Sequence, residues 1–275
     1  MLAHSLVTAG SADPAKYMLF LHGILGNRAN WRGIARRFVA ARPNWGAVLV
    51  DLREHGGSLG LQAPHGLQAV TGDLAQLERS LALTIGGAIG HSFGGKVVLE
   101  WLRSRADQIT EAWVIDASPS QSNANSDTSA TAEVLRTLER LPRNWPSRGA
   151  FVAALADAGQ PRGIAEWLAM NLRRTDDGAR RFGPELSVIR ELIEDYARTD
   201  CWDIVEAPPS GCSLGLVIGA ESTAFSRADR ERAERIAERN PQVAVHLIEG
   251  AGHWVHVDAP DALLALLTAH PTPAR

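Results

Sequence analysis

The 275-residue sequence has only two cysteines, Cys201 and Cys212, and neither has partners at metal-ligand spacing. That excludes a disulfide-stapled scaffold and a thiolate metal site, and both thiols are expected to be free in a reducing compartment. No run approaches the ~20 apolar residues of a membrane span. The opening stretch MLAHSLVTAGSADPAKYMLFLHG also lacks the basic start and long apolar core of a secretion signal. The expectation is a cytoplasmic, soluble protein with no membrane partner.

An excess of charge of one sign is missing as well. Lys and Arg number 28 against 31 Asp and Glu, a formal net charge of -3, so no basic field draws the chain to nucleic acid. Internal repeats, a P-loop and a G-x-G-x-x-G after the first apolar run are all absent from the sequence. His253 and His256 form an H-x-x-H without the helical H-E-x-x-H setting of zinc hydrolases, so neither a metal nor a cofactor is expected. Composition is silent on oligomeric state. What remains, 45% hydrophobic and 21% charged, suits one α/β domain with an insertion.

Short apolar runs at 17–21, 47–51, 85–90 and 112–116 alternate with helical spacing at 30–41, 68–83 and 93–103, the pattern of βα units feeding a buried parallel sheet. Residues 3–8 fit an antiparallel edge strand. The stretch 117–131, ASPSQSNANSDTSAT, is too small and polar to form core and reads as a linker or mobile loop. From 133 to 200 the apolar spacing is helical, broken at Pro142, Pro146, Pro161 and Pro184, which predicts three or four short helices. Strands at 213–219 and 243–248 and helices at 227–239 and 260–269 complete the pattern. The predicted architecture is a doubly wound, mostly parallel α/β sheet, residues 1–119 and 201–275, with a helical cap inserted at 120–200. Within that insertion 11 Arg nearly cancel 12 Asp and Glu, so it does not announce an acidic substrate.

Three segments carry chemistry. Gly90-His91-Ser92-Phe93-Gly94 is a G-x-S-x-G between an apolar run and an amphipathic one. A sharp strand-to-helix turn of that kind needs glycines beside the serine and exposes its hydroxyl, making Ser92 the expected nucleophile. His22-Gly23-Ile24-Leu25-Gly26 follows the first buried strand. The Ile24 and Phe93 N–H groups are expected to form a two-donor oxyanion hole, and the His22 side chain to bond backbone at the pocket's edge. Gly250-Ala251-Gly252-His253 follows the last strand on a small-residue loop, free to reach the serine, so His253 is the expected base. His256 is flanked by residues that read as packed. Asp51-Leu52-Arg53-Glu54-His55-Gly56-Gly57-Ser58 ends another strand and reads as a salt-bridged structural turn that could order the loop beneath the site rather than take part in catalysis. Trp145, Trp167, Met170 and Trp202 fall in or beside the insertion and are candidates for lining an acyl pocket, although aromatics at helical spacing more often form core.

These segments in this order resemble the α/β-hydrolase superfamily along essentially the whole chain. LHGILGNRANW, VDLREHGGS, GHSFGGKVV, VIDASP and GAGHWVH are similar to the small YbfF-type bacterial esterases. The resemblance implies Ser-His-acid hydrolysis of small carboxylic esters or thioesters beneath a helical cap. For the acid it leaves two choices. Many members carry it after the strand that here reads LGLVIG, where Glu221 stands and Ser222 fills the usual slot. In the YbfF type it is borne by the strand following the nucleophile, which points to Asp116. A carboxylate at that strand end also has the physical means to hold the histidine tautomer. Serine at the turn argues against dehalogenase and epoxide-hydrolase chemistry. C–C bond hydrolysis, cofactor-free perhydrolysis and a non-catalytic receptor for a small ligand remain alternatives.

Overall fold

The computed structural model describes all residues except 11–12, 106–108, 123–129 and 270–275. The first half of the chain runs β1 (His4–Val7), β2 (Lys16–Leu21), a 3-10 turn (Arg28–Trp31), α1 (Arg32–Ala41), β3 (Trp45–Val50), α2 (Leu67–Leu81), β4 (Ile85–His91), α3 (Phe93–Leu102) and β5 (Glu111–Ile115). An insertion follows, with α4 (Ala130–Arg140), β6 (Asn144–Trp145), α5 (Arg148–Asp157), α6 (Arg162–Leu168), a second 3-10 turn (Ala169–Asn171), β7 (Leu172–Arg174), β8 (Arg180–Phe182) and α7 (Leu186–Arg198). The chain closes with α8 (Trp202–Glu206), β9 (Ser213–Gly219), α9 (Arg227–Arg239), β10 (Val243–Ile248), α10 (Val255–Asp258) and α11 (Pro260–Thr268).

The seven-stranded sheet has the order β1-β3-β2-β4-β5-β9-β10, and every pair is parallel except β1 with β3. Strands buried on both faces need apolar residues at nearly every position, and KYMLFL and WGAVLV supply them. Leu19 and Leu21 face one core with α2, α3 and the insertion, while Met18 and Phe20 face the other with α1 and α11. Because β3 and β4 flank β2 on opposite sides, the loops leaving β2 and β4 lie side by side at the switch point, where doubly wound sheets bind ligands.

The insertion corrects the expectation of helical structure throughout 133–200. Four helices form, but β6, β8 and β7 make a small antiparallel sheet between them. Gly178 at φ 83° lies in the short connection of the β7–β8 hairpin, a local pairing that apolar spacing does not reveal. The expectation of a loose linker is also revised for its described part. Ser118 and Ser120 hydroxyls donate to Asp229 at 3.0 and 2.5 Å, and the Trp202 indole N–H donates to Ser120 Oγ at 2.7 Å. The rest of that stretch, 123–129, lies outside the described residues.

Lys96, fully buried in α3, ties both roots of the insertion to this helix. Its ammonium donates to the carbonyls of Ser120 at 2.9 Å and of Tyr196 and Thr199 at 2.8 Å. Burial pulls its pKa down to about 8. Among the described residues no helix is long and apolar enough to cross a membrane.

Candidate active site

Ser92 sits between β4 and α3 at φ 52° and ψ -117°, a strained conformation for a residue with a side chain. The turn is too tight for side chains on its flanks. A Cβ on Gly90 would lie 2.0 Å from the Gly94 carbonyl oxygen, and one on Gly94 would lie 2.5 Å from the Leu21 oxygen. The Ser92 N–H is anchored to Ile115 O at 2.9 Å, which fixes the turn against β5.

The carboxylate of Asp116, fully buried at the end of β5, receives three hydrogen bonds. Gly219 N–H donates to Oδ1 at 3.1 Å, Ser222 Oγ donates to Oδ2, and His253 Nδ1 lies 2.7 Å from Oδ2. His253 reaches this position because its loop packs tightly on the end of β9, where a Cβ on Gly219 would stand 2.3 Å from Gly252 O. Two further bonds set the loop: Gly252 N–H donates to Asp258 Oδ2 at 2.9 Å, and His91 Nε2–H donates to the His253 carbonyl at 2.7 Å. Glu221, the other acid considered, is exposed, and its N–H bonds Ala251 O at 3.0 Å. Ser222, in the slot where an acid is common, instead serves Asp116 as a donor.

The loop after β2 is held by two buried neutral histidines. Nδ1–H of His22 donates to Gly23 O at 2.8 Å while its Nε2 accepts from Leu52 N–H at 3.0 Å. His55 donates from Nδ1 to Arg53 O at 2.7 Å and accepts at Nε2 from Leu25 N–H at 2.8 Å. Burial lowers their pKa values to about 4 and about 3, so both stay uncharged acceptors at neutral pH. Among the described residues neither the Ile24 nor the Phe93 N–H is taken up by an intramolecular bond. Asp51 pairs with Arg28 and Arg53 with Asp73, so the 51–55 turn is a salt-bridged scaffold beneath the loop.

Ser92, His253, His22 and Ile24 border one cavity of about 640 Å³. Val134, Ile164 and Trp167 reach into it from the insertion, and the Trp167 ring meets that of Trp254 at 5.2 Å. No hydrogen bond joins Ser92 Oγ to His253 Nε2 among the described residues, although both border the same cavity. His256, also on the wall, is lowered to about pKa 4 by burial and packs against Trp31 and His91.

Three of the suggested pocket residues lie elsewhere. Trp145 is buried against Phe151, ring centroids 5.3 Å apart, because β6 turns it into the insertion's own core. Met170 is 42% exposed and borders a separate depression beside Arg28 and Arg173. Trp202 is buried core. Conversely, Asn171 donates to the Leu25 carbonyl beside the site, yet no spacing in the sequence marks it.

A parallel sheet with a strained serine at its switch point and a histidine paired to a buried carboxylate describes the α/β class of hydrolases. Residues 18–266 match the model of the Alpha/beta hydrolase family, and the chain belongs to that family. It is 28% identical over 275 residues to the sn-1-specific diacylglycerol lipase ABHD11 of Mus musculus, covering 98% of this chain and 84% of that protein. To the Esterase YbfF of Escherichia coli (strain K12) it is 26% identical over 248 residues, 90% of this chain and 89% of that one. Among solved structures, a marine microorganism esterase superposes with a TM-score of 0.80 at 21% identity, over 96% of this chain and 97% of that one.

Proposed function

We propose that this chain is a serine ester hydrolase that works through Ser92, His253 and Asp116. The observation that carries the reading is the 2.7 Å contact of His253 Nδ1 with a fully buried carboxylate, on a histidine that shares its cavity with a strained serine. His253 takes the Ser92 proton as Oγ attacks the acyl carbonyl. The same proton then goes to the departing alcohol or thiol, leaving an acyl-enzyme. Water, deprotonated by His253, attacks the acyl carbon and releases the acid and free Ser92. Asp116 holds the imidazole with its proton on Nδ1, so that Nε2 is the base.

The Ile24 and Phe93 N–H groups, without another acceptor among the described residues, receive the oxyanion, each contributing on the order of 3 kcal/mol in the transition state. Residues 120–200 form the cap that supplies Val134, Ile164 and Trp167 to the acyl side of the cavity. Among the described residues no Lys or Arg lines it, and the segment NANSDTS at 123–129 contains none. Asp258, at the rim, is the acidic residue on the wall. A neutral acyl group therefore suits the cavity, since a carboxylate would be desolvated there without a counter-charge. The relatives named as an esterase and a lipase for a neutral lipid agree with that choice.

The test is hydrolysis of p-nitrophenyl esters from acetate to decanoate by wild type and Ser92→Ala, with a fluorophosphonate label read by intact mass. Chain-length-dependent turnover and a single adduct, both lost in Ser92→Ala, are expected. An inert wild type that takes no adduct would overturn the proposal in favour of stoichiometric ligand binding.

A further inference from the structure

We infer that Asn171, a residue of the insertion, is a positioning residue for the oxyanion-binding amide of Ile24; this rests on the esterase reading above. Asn171 ends the 3-10 turn before β7, is 4% exposed, and donates from Nδ2 to the Leu25 carbonyl at 2.7 Å, across 146 positions of sequence. The Asn171 backbone carbonyl accepts from Gly183 N–H at 3.0 Å, so the side chain is delivered by the small β6-β8-β7 sheet.

The effect of that bond travels through rigid units. A peptide group is planar and trans, so fixing its C=O aims the N–H at its other end. Asn171 fixes the Leu25 carbonyl and with it the Gly26 N–H, which donates to Gly23 O at 3.0 Å. That carbonyl, also held by His22, belongs to the peptide whose other end is the Ile24 N–H. Leu25 stands between these units at φ 59°, a strained value for leucine, with its N–H on His55. Such a conformation persists only when its surroundings over-determine it, and two of the three groups that do so here, His22 and His55, come from the core. The third comes from the cap. Cap and oxyanion hole are therefore one device: a cap out of place disorders the amide that stabilises the transition state, in addition to opening the cavity.

The test is Asn171→Leu, which removes the donor at similar volume and without a buried charge. Expected are a fall in kcat of at least tenfold, a KM within about twofold of wild type, and a matching weakening of a trifluoromethyl ketone inhibitor that places an oxyanion in the hole. Amide hydrogen exchange at Gly26 should speed up while that of β4 and β5 stays unchanged. A kcat within twofold of wild type, or a rise in KM alone, would overturn the inference and leave Asn171 a packing residue. Inactivity of the wild type on every ester would strike the esterase reading instead, and the exchange of Gly26 would still decide whether Asn171 holds the loop: unchanged exchange refutes it.

Discussion

Replacing Asp116 by asparagine tests the polar centre most directly. In the native site Oδ2 accepts from both Ser222 Oγ and His253 Nδ1, while Oδ1 accepts from Gly219 N–H. An asparagine with its oxygen towards Gly219 sets an NH2 group against the imidazole. His253 must then accept at Nδ1 and carry its proton on Nε2, the nitrogen that has to receive the Ser92 proton. The opposite amide orientation preserves the histidine tautomer but leaves the buried Gly219 N–H without an acceptor, a cost of about 1–3 kcal/mol. The first orientation therefore prevails, and a wrong tautomer in a serine triad lowers kcat by about 10⁴, or ~5.5 kcal/mol of transition-state stabilisation. The assay is kcat on a p-nitrophenyl ester with a thermal melt alongside, to separate lost activity from lost fold. Glu221→Gln, on an exposed side chain, should stay within about twofold of wild type. Retention of more than a tenth of kcat in Asp116→Asn, with Glu221→Gln inactive, would refute the assignment.

Three further outcomes follow from the same geometry. Burial lowers the pKa values of His22, His55 and His256 to about 4, about 3 and about 4, and that of His91 well below its ordinary value, so the unfolded chain takes up protons below about pH 6.5 that the folded chain still refuses. Stability should therefore fall as pH drops from 6.5 to 4.5, by up to about 1.4 kcal/mol per pH unit for each histidine, and a urea midpoint flat over that range would contradict the burial argument. Lys96→Met removes three charge-assisted bonds worth ~1.5–3 kcal/mol each but also relieves the desolvation of an ammonium; a net loss on the order of 2 kcal/mol is expected in urea unfolding, and a stabilised variant would show that the lysine does not clamp the insertion. For substrates, the p-nitrophenyl monoester of adipic acid should be cleaved at least ~100-fold less efficiently than the hexanoate ester, because no Lys or Arg among the described residues lines the cavity to meet a carboxylate; comparable kcat/KM values would mean that the acyl chain does not enter it.

The elements that local pattern dictates were legible in the chain. Continuous apolar runs gave the buried parallel strands, since a strand covered on both faces tolerates little else, and β9, α9 and β10 have the residue bounds that the spacing predicts. The G-x-S-x-G turn was readable because steric exclusion at Gly90 and Gly94 leaves only glycine. His253 stood out because a histidine on a small-residue loop is not explained by packing.

What depended on distant groups was not legible. The contact between Asp116 and His253 spans 137 positions and exists only because β5 and β9 lie side by side. The small sheet of the insertion escaped the helical reading because its strands are two or three residues long, too short for any period to register. Trp145 and Trp167 look equivalent as aromatics near helices. Only the packing of α5 and α6 sends one into the insertion's core and the other to the cavity wall. The sequence alone determined the sheet, the turn and the residue types of the chemistry, because these follow from sterics and burial within a few residues. The pairing of His253 with Asp116 and the reach of Asn171 to Leu25 were decided by tertiary structure, because each joins groups that only the closed fold brings within 3 Å.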